Sequence, residues 1–235
     1  MERILAFDGY QIELSNVLDH FEDNARDMYE EITEEILEDC ADIAKPVAIW
    51  KKLPVEILSK NEVNLGDETF FSRYLVECMD EVDHVYGFLV SIGRELWEHR
   101  KTMEDALEQL IFESIMKTCL DDVFGACAED IVLQLPDKTA IYMDNPGHLD
   151  GWDIADQNKL LGLLEDVEGV SEELTVNGEY LFDNSFSMSG IIYAKGKLPA
   201  NCMLCPKPDC HHRKVPFNRN ELVNRLYDSS GRYEN

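Results

Sequence analysis

The order of elements along this 235-residue chain predicts an α+β fold, with long helices packed on a mainly antiparallel sheet. Two observations carry that prediction. Apolar residues recur at helical spacing over 17–43, and a second long helix runs from near 102 toward 133. Short β-branched or aromatic runs at 47–50, 84–92, 139–143 and 189–195 lie among the helices without the regular strand–helix–strand succession of a parallel sheet.

Residues 4–12 read as a hairpin, because Asp8-Gly9 suits the positive φ angles of a tight turn. Ser15 or Asn16 is placed to cap a long helix with apolar positions Val17, Phe21, Ala25, Met28, Ile32, Ile36, Cys40 and Ile43, which Pro46 ends. A short strand follows at 47–50. Phe70, Phe71, Tyr74, Leu75 and Cys78 keep the helical period and predict a helix over 68–79. The run 84–92 is apolar on both faces, as a buried strand is. The second long helix opens near Lys101 or Thr102, and Pro136 forbids its extension. A strand at 139–143, a turn at Asn145-Pro146-Gly147-His148, a helix at 157–164 and a strand at 189–195 complete the regular structure. The organisation expected is an N-terminal hairpin and helix over 1–46, an α+β core over 47–198, and a cysteine-rich basic tail over 199–235, packed as one unit.

The net charge is −27, from 48 acidic and 21 basic residues. A surface of this sign repels phosphate backbones and anionic membranes, so neither nucleic acid nor membrane is an expected partner. The longest apolar stretch, 85–93, falls far short of the ~20 residues of a membrane helix. The N-terminus lacks the apolar core of a signal peptide, which makes the cytoplasm the expected location. The charge is uneven: residues 191–235 hold eight basic and four acidic side chains, a net of +4, which leaves −31 on the rest.

Seven cysteines, an odd number, argue against a disulfide framework. Cys40, Cys78, Cys119 and Cys127 fall in helical patterns, where cysteine serves as a small buried hydrophobe. Cys202, Cys205 and Cys210 are clustered. A Cys-x-x-Cys turn brings two thiolates to one ion or cluster, and a third cysteine five residues on can reach the same centre. Zinc would take His211 or His212 as its fourth ligand; an iron–sulfur cluster would need a further cysteine or an exchangeable ligand. The basic residues alongside would stabilise thiolates.

Two other segments stand out. Asp144 to Asp153 places a Pro-Gly turn ahead of a helix, and Ser187-Met188-Ser189-Gly190 brings small residues into a strand, where another backbone or a ligand can approach closely. In this order and spacing they resemble the reactivation domain of cobalamin-dependent methionine synthase, and especially its free-standing relatives in anaerobic bacteria. There a Pro-Gly-Tyr turn precedes a helix and a Ser-x-Ser-Gly strand follows. The run 85–93, ending in Ile92-Gly93, resembles the family's strand with that ending, and 120–129 resembles the helix carrying its Ala-Glu pair, here Ala128-Glu129. The Cys-x-x-Cys tail is similar to that of the free-standing relatives. The resemblance spans about residues 47–213.

What the resemblance implies is a domain that binds S-adenosylmethionine and docks over the corrinoid of a partner, supporting its reductive methylation. The binding residues would be Glu129, Met143, Asn145, Pro146, Gly147, His148, Ser187, Ser189 and Gly190. This chain departs from the family at three of its positions. Met143 stands where the family has the arginine that contacts the S-adenosylmethionine carboxylate, His148 where it has a tyrosine, and Asn184 where it has a proline. A methionine forms no bidentate pair with a carboxylate, which weakens the expectation for this ligand. His148 reads as a substituted ligand contact, a lower axial ligand to cobalt, or a polar loop residue.

The leading expectation is an accessory protein of corrinoid-dependent methyl transfer. It would work on a corrinoid protein or methyltransferase, with the cysteine tail carrying an electron from a donor through an iron–sulfur cluster. The alternative is a non-catalytic binding protein of the same fold with a structural zinc. A methyltransferase component using the same cleft is a third reading, although no general base or nucleophile stands out.

Overall fold

The structure is a computed structural model, and it describes residues 1–7, 9–135, 140–149, 151–164, 186–195, 201–207 and 215–221. Seven strands and six helices follow one another along these residues: β1 (Glu2–Ala6), α1 (Leu14–Leu18), α2 (Asp23–Cys40), β2 (Val47–Ile57), β3 (Glu62–Leu65), β4 (Glu68–Phe71), α3 (Arg73–Met79), β5 (His84–Ser91), α4 (Arg94–Arg100), α5 (Ala106–Val132), β6 (Ala140–Asp144), α6 (Gln157–Leu164) and β7 (Ser187–Lys195). The strand order is β4-β3-β2-β5-β7-β6, with β1 paired to β2. The pairs β2–β3, β3–β4 and β6–β7 are antiparallel. The predicted α+β class is therefore the one observed.

The chain forms two compact units. The first comprises Met1–Trp50, Phe88–Ile131 and Leu164–Met188. Its α5 buries Ile111, Ile115, Cys119, Val123, Cys127 and Ile131, four residues apart, with Phe112 and Met116 beside them, so one stripe of the helix is core. Asp105 starts this helix by accepting from the backbone N–H groups of Leu107 (2.8 Å) and Glu108 (3.1 Å). The second unit comprises Lys51–Gly87, Val132–Leu163 and Ser189–Asn235. Leu53, Val63, Leu65, Phe70, Leu75, Met79, Trp152, Leu160 and Ile191 belong to its core, and Leu204 of the cysteine-rich tail is buried among them.

Several expectations need correction. The N-terminal turn forms, closed by Tyr10 N–H donating to the Phe7 carbonyl at 3.0 Å, but residues 10–13 do not return as a strand. Strand β1 pairs instead with β2, and Tyr10 donates its hydroxyl to Asp122 Oδ2 at 2.8 Å. The long N-terminal helix breaks at residues 19–22 into α1 and α2, and neither Ser15 nor Asn16 caps it. The helix expected over 68–79 is strand β4 followed by α3. Ser72 stops the strand and caps the helix, its Oγ accepting from Leu75 N–H at 2.9 Å and donating to the Gly151 carbonyl. Phe70 is buried because β4 pairs with β3, and Tyr74, Leu75 and Cys78 because α3 presents them inward; two periods had merged into one. Strand β3 and helix α4 carried too few apolar residues for their periods to show.

Candidate functional site

The Pro-Gly loop follows directly on β6 in the second unit, and the structure explains why it holds its shape. Gly147 has φ +76°, a left-handed conformation, and a Cβ there would lie 2.6 Å from Ile154 Cδ1. Its N–H donates to the Trp152 carbonyl at 2.8 Å, and His148 N–H donates to the Asn145 carbonyl at 3.1 Å. The Asn145 side-chain amide donates to the Ser189 carbonyl on β7. Gln157, the first residue of α6, donates through Nε2 to Ser189 Oγ at 2.7 Å. Loop, helix start and the Ser-x-Ser-Gly strand are thereby tied at Ser189, which is buried.

Beneath the loop lies a group that sequence reasoning missed. Asp144, the last residue of β6, is 2% exposed, and each of its carboxylate oxygens accepts from a phenol: Oδ1 from Tyr74 at 2.7 Å, Oδ2 from Tyr193 at 2.7 Å. Burial, with the charge of Asp144 second, pushes both phenols well above the ordinary tyrosine range. They remain neutral donors to an acceptor at every ordinary pH. Cys78 lies by the same carboxylate, and burial pushes its thiol up to about 12. Tyr142 stacks on its cross-strand partner Tyr193, centroids 5.7 Å apart. The Lys195 ammonium donates to the carbonyls of Glu77 (2.7 Å) and Cys78 (3.2 Å) at the end of α3, and its charge acts on the Cys78 thiol.

The structure thus brings together Asn145, Pro146, Gly147, His148 and Ser189, with Gly190 buried beside Ser189 on β7 and Met143 half-buried on β6. Gly147 and His148 are exposed. Ser187 belongs to the first unit, where its hydroxyl donates to Ser91 Oγ at 3.1 Å, and Glu129 is an exposed residue of α5 in that unit. Cys202 and Cys205 are half-buried on either side of the buried Leu204, whereas Cys210 and His211 lie outside the described residues. Among the described residues, no group of three or more metal-binding side chains comes together. No helix among them is long and apolar enough to cross a membrane.

Fold and site together define a class: an α+β domain in which a Pro-Gly loop, between a strand and a helix, is pinned to a Ser-x-Ser-Gly strand. A solved structure, "Crystal Structure of the MetH Reactivation Domain bound to AdoHcy", superposes with a TM-score of 0.63, covering 85% of this chain and 81% of that one. At 10% sequence identity, this is a likeness of fold. No protein-family model matches the chain, and neither does any curated protein.

The site can be tested against S-adenosylmethionine or its demethylated form. The loop N–H groups of Gly147 and His148 are spent within the loop, and the Asn145 amide on Ser189. Position 143 offers a thioether in place of a cation, and Asp144 is held by two phenols. Among the described residues of this loop, 140–149 and 151–157, no Lys or Arg stands to pair with the amino-acid carboxylate of such a ligand.

Proposed function

We propose that the chain is an accessory protein of corrinoid-dependent methyl transfer, one that binds a corrinoid-carrying protein or methyltransferase and supports return of its oxidised cofactor to the cycle. The observation that carries the reading is the likeness of fold to the MetH reactivation domain over 85% of the chain, with the Pro-Gly loop pinned against the Ser-x-Ser-Gly strand. The exposed Gly147-His148 edge is the surface such a partner would meet. Cys202, Cys205 and Cys210, with an exchangeable fourth ligand, would hold an iron–sulfur centre that takes one electron from an external donor and hands it to the corrinoid.

The test is anaerobic purification with metal analysis and EPR, followed by calorimetric titration with hydroxocobalamin and with S-adenosylmethionine. Iron with acid-labile sulfide, together with heat on titration of hydroxocobalamin, is the expected result. Zinc without iron would remove the electron-transfer part. Silence toward the corrinoid would remove the rest. A second reading, a non-catalytic binding protein with a zinc-stapled tail, is favoured by one observation: the loop that would hold S-adenosylmethionine offers no Lys or Arg among its described residues and spends the Gly147, His148 and Asn145 amides internally.

A further inference from the structure

The first unit contains a groove of about 450 Å³ that the proposed function leaves unused. One wall is the segment after the N-terminal turn, with Ile12 and Leu14; the other is the C-terminal half of α2, with Leu37 and Ala41. The groove is held in shape. Tyr10 anchors its wall by donating to Asp122 on α5 at 2.8 Å, and its phenol is kept protonated by burial and by the neighbouring acids. Ile12, Leu14 and Leu37 are each half-buried, so the walls present apolar surface to the groove.

The charge around this groove decides what fits it. Glu34 and Glu38, one helical turn apart, belong to its lining and are exposed. Neither has an ion pair among the described residues. Helix α2 carries eight acidic residues against one arginine, has no basic residue in its last turn, and so sets its carboxylates against both one another and the helix dipole. A second copy of a chain with net charge −27 would be repelled, as would an anionic membrane.

We infer that this groove docks a basic amphipathic helix of a partner protein, its apolar face between Ile12, Leu14 and Leu37 and its Lys or Arg side chains against Glu34 and Glu38. A helix in such a groove uses two or three apolar anchors one turn apart, and complementary charge sets encounter rate and register. The inference does not depend on the corrinoid reading, since it concerns a separate set of residues in the first unit.

The test uses the full chain and a fluorescein-labelled Lys/Leu amphipathic peptide, about fifteen residues long, followed by anisotropy. The wild type is expected to bind it, with affinity falling at least about tenfold between low and high salt. Glu34→Gln/Glu38→Gln should weaken binding about tenfold, and Leu37→Glu by more. Glu56→Gln/Asp67→Asn, two exposed acids of the second unit, should change it less than twofold. Circular dichroism and urea midpoints establish that each variant is folded. The inference is overturned if both double variants lose affinity equally, or if a Lys/Ser peptide of the same charge binds as well. Absence of binding, or light scattering that shows the face closed in a dimer, also overturns it.

Discussion

Tyr193→Phe removes one hydroxyl and leaves the Asp144 carboxylate, 2% exposed, short of a donor at 2.7 Å. A hydrogen bond to a charged group contributes about 1.5–3 kcal/mol, and a buried acceptor that loses its partner also bears the cost of its desolvation. The phenyl ring still stacks on Tyr142, so packing is largely kept. The expected loss is about 2 kcal/mol, or roughly 4–8 °C in Tm for a chain of this size. Urea unfolding followed by circular dichroism reads it directly. Tyr74→Phe, which removes the donor to Oδ1, should cost about as much. With both hydroxyls gone, the buried carboxylate loses two donors that favour its charged form, so the double variant should lose more stability at neutral pH than at acid pH, where the carboxylate is protonated. A Tyr193→Phe loss below about 0.5 kcal/mol, the size of an ordinary surface substitution, would refute the reasoning.

Gly147→Ala places a Cβ on a left-handed backbone and 2.6 Å from Ile154 Cδ1, so it should cost about 1–3 kcal/mol by the same assay. Asp105→Ala removes the acceptor for two N–H groups at the start of α5 and should cost about 1 kcal/mol, most of which Asp105→Asn restores. Burial pushes the thiols of Cys40, Cys78, Cys119 and Cys127 from 9.0 up to about 12. A group whose folded pKa is raised keeps its full contribution below its unfolded pKa and loses it through the folded one. The urea midpoint should therefore hold up to about pH 9 and fall between there and about pH 12, a decline that Cys→Ala replacements would shrink.

Where a residue's burial follows from local periodicity, the sequence alone sufficed. The presence of α5, though not its start at Ala106, the continuous apolar run of β5, the Pro-Gly turn and the limits of α6 are all set by local pattern. The same is true of the four scattered cysteines, which are buried. Junctions between elements were lost where two periods abut. Glu68–Phe71 and Arg73–Met79 read as one helix because the strand is only four residues long, and Ser72 is visible as a cap only once Leu75 N–H points at it. The Asp144 cluster lay further out of reach. Its two phenols stand 70 residues before and 49 after the carboxylate, and nothing local tells a buried aspartate from a solvated one at a strand end. The pairing of β6 with β7 and the packing of α3 decide it. A lone carboxylate is too costly to bury, and only the tertiary structure could supply the two hydroxyls that let Asp144 stay inside.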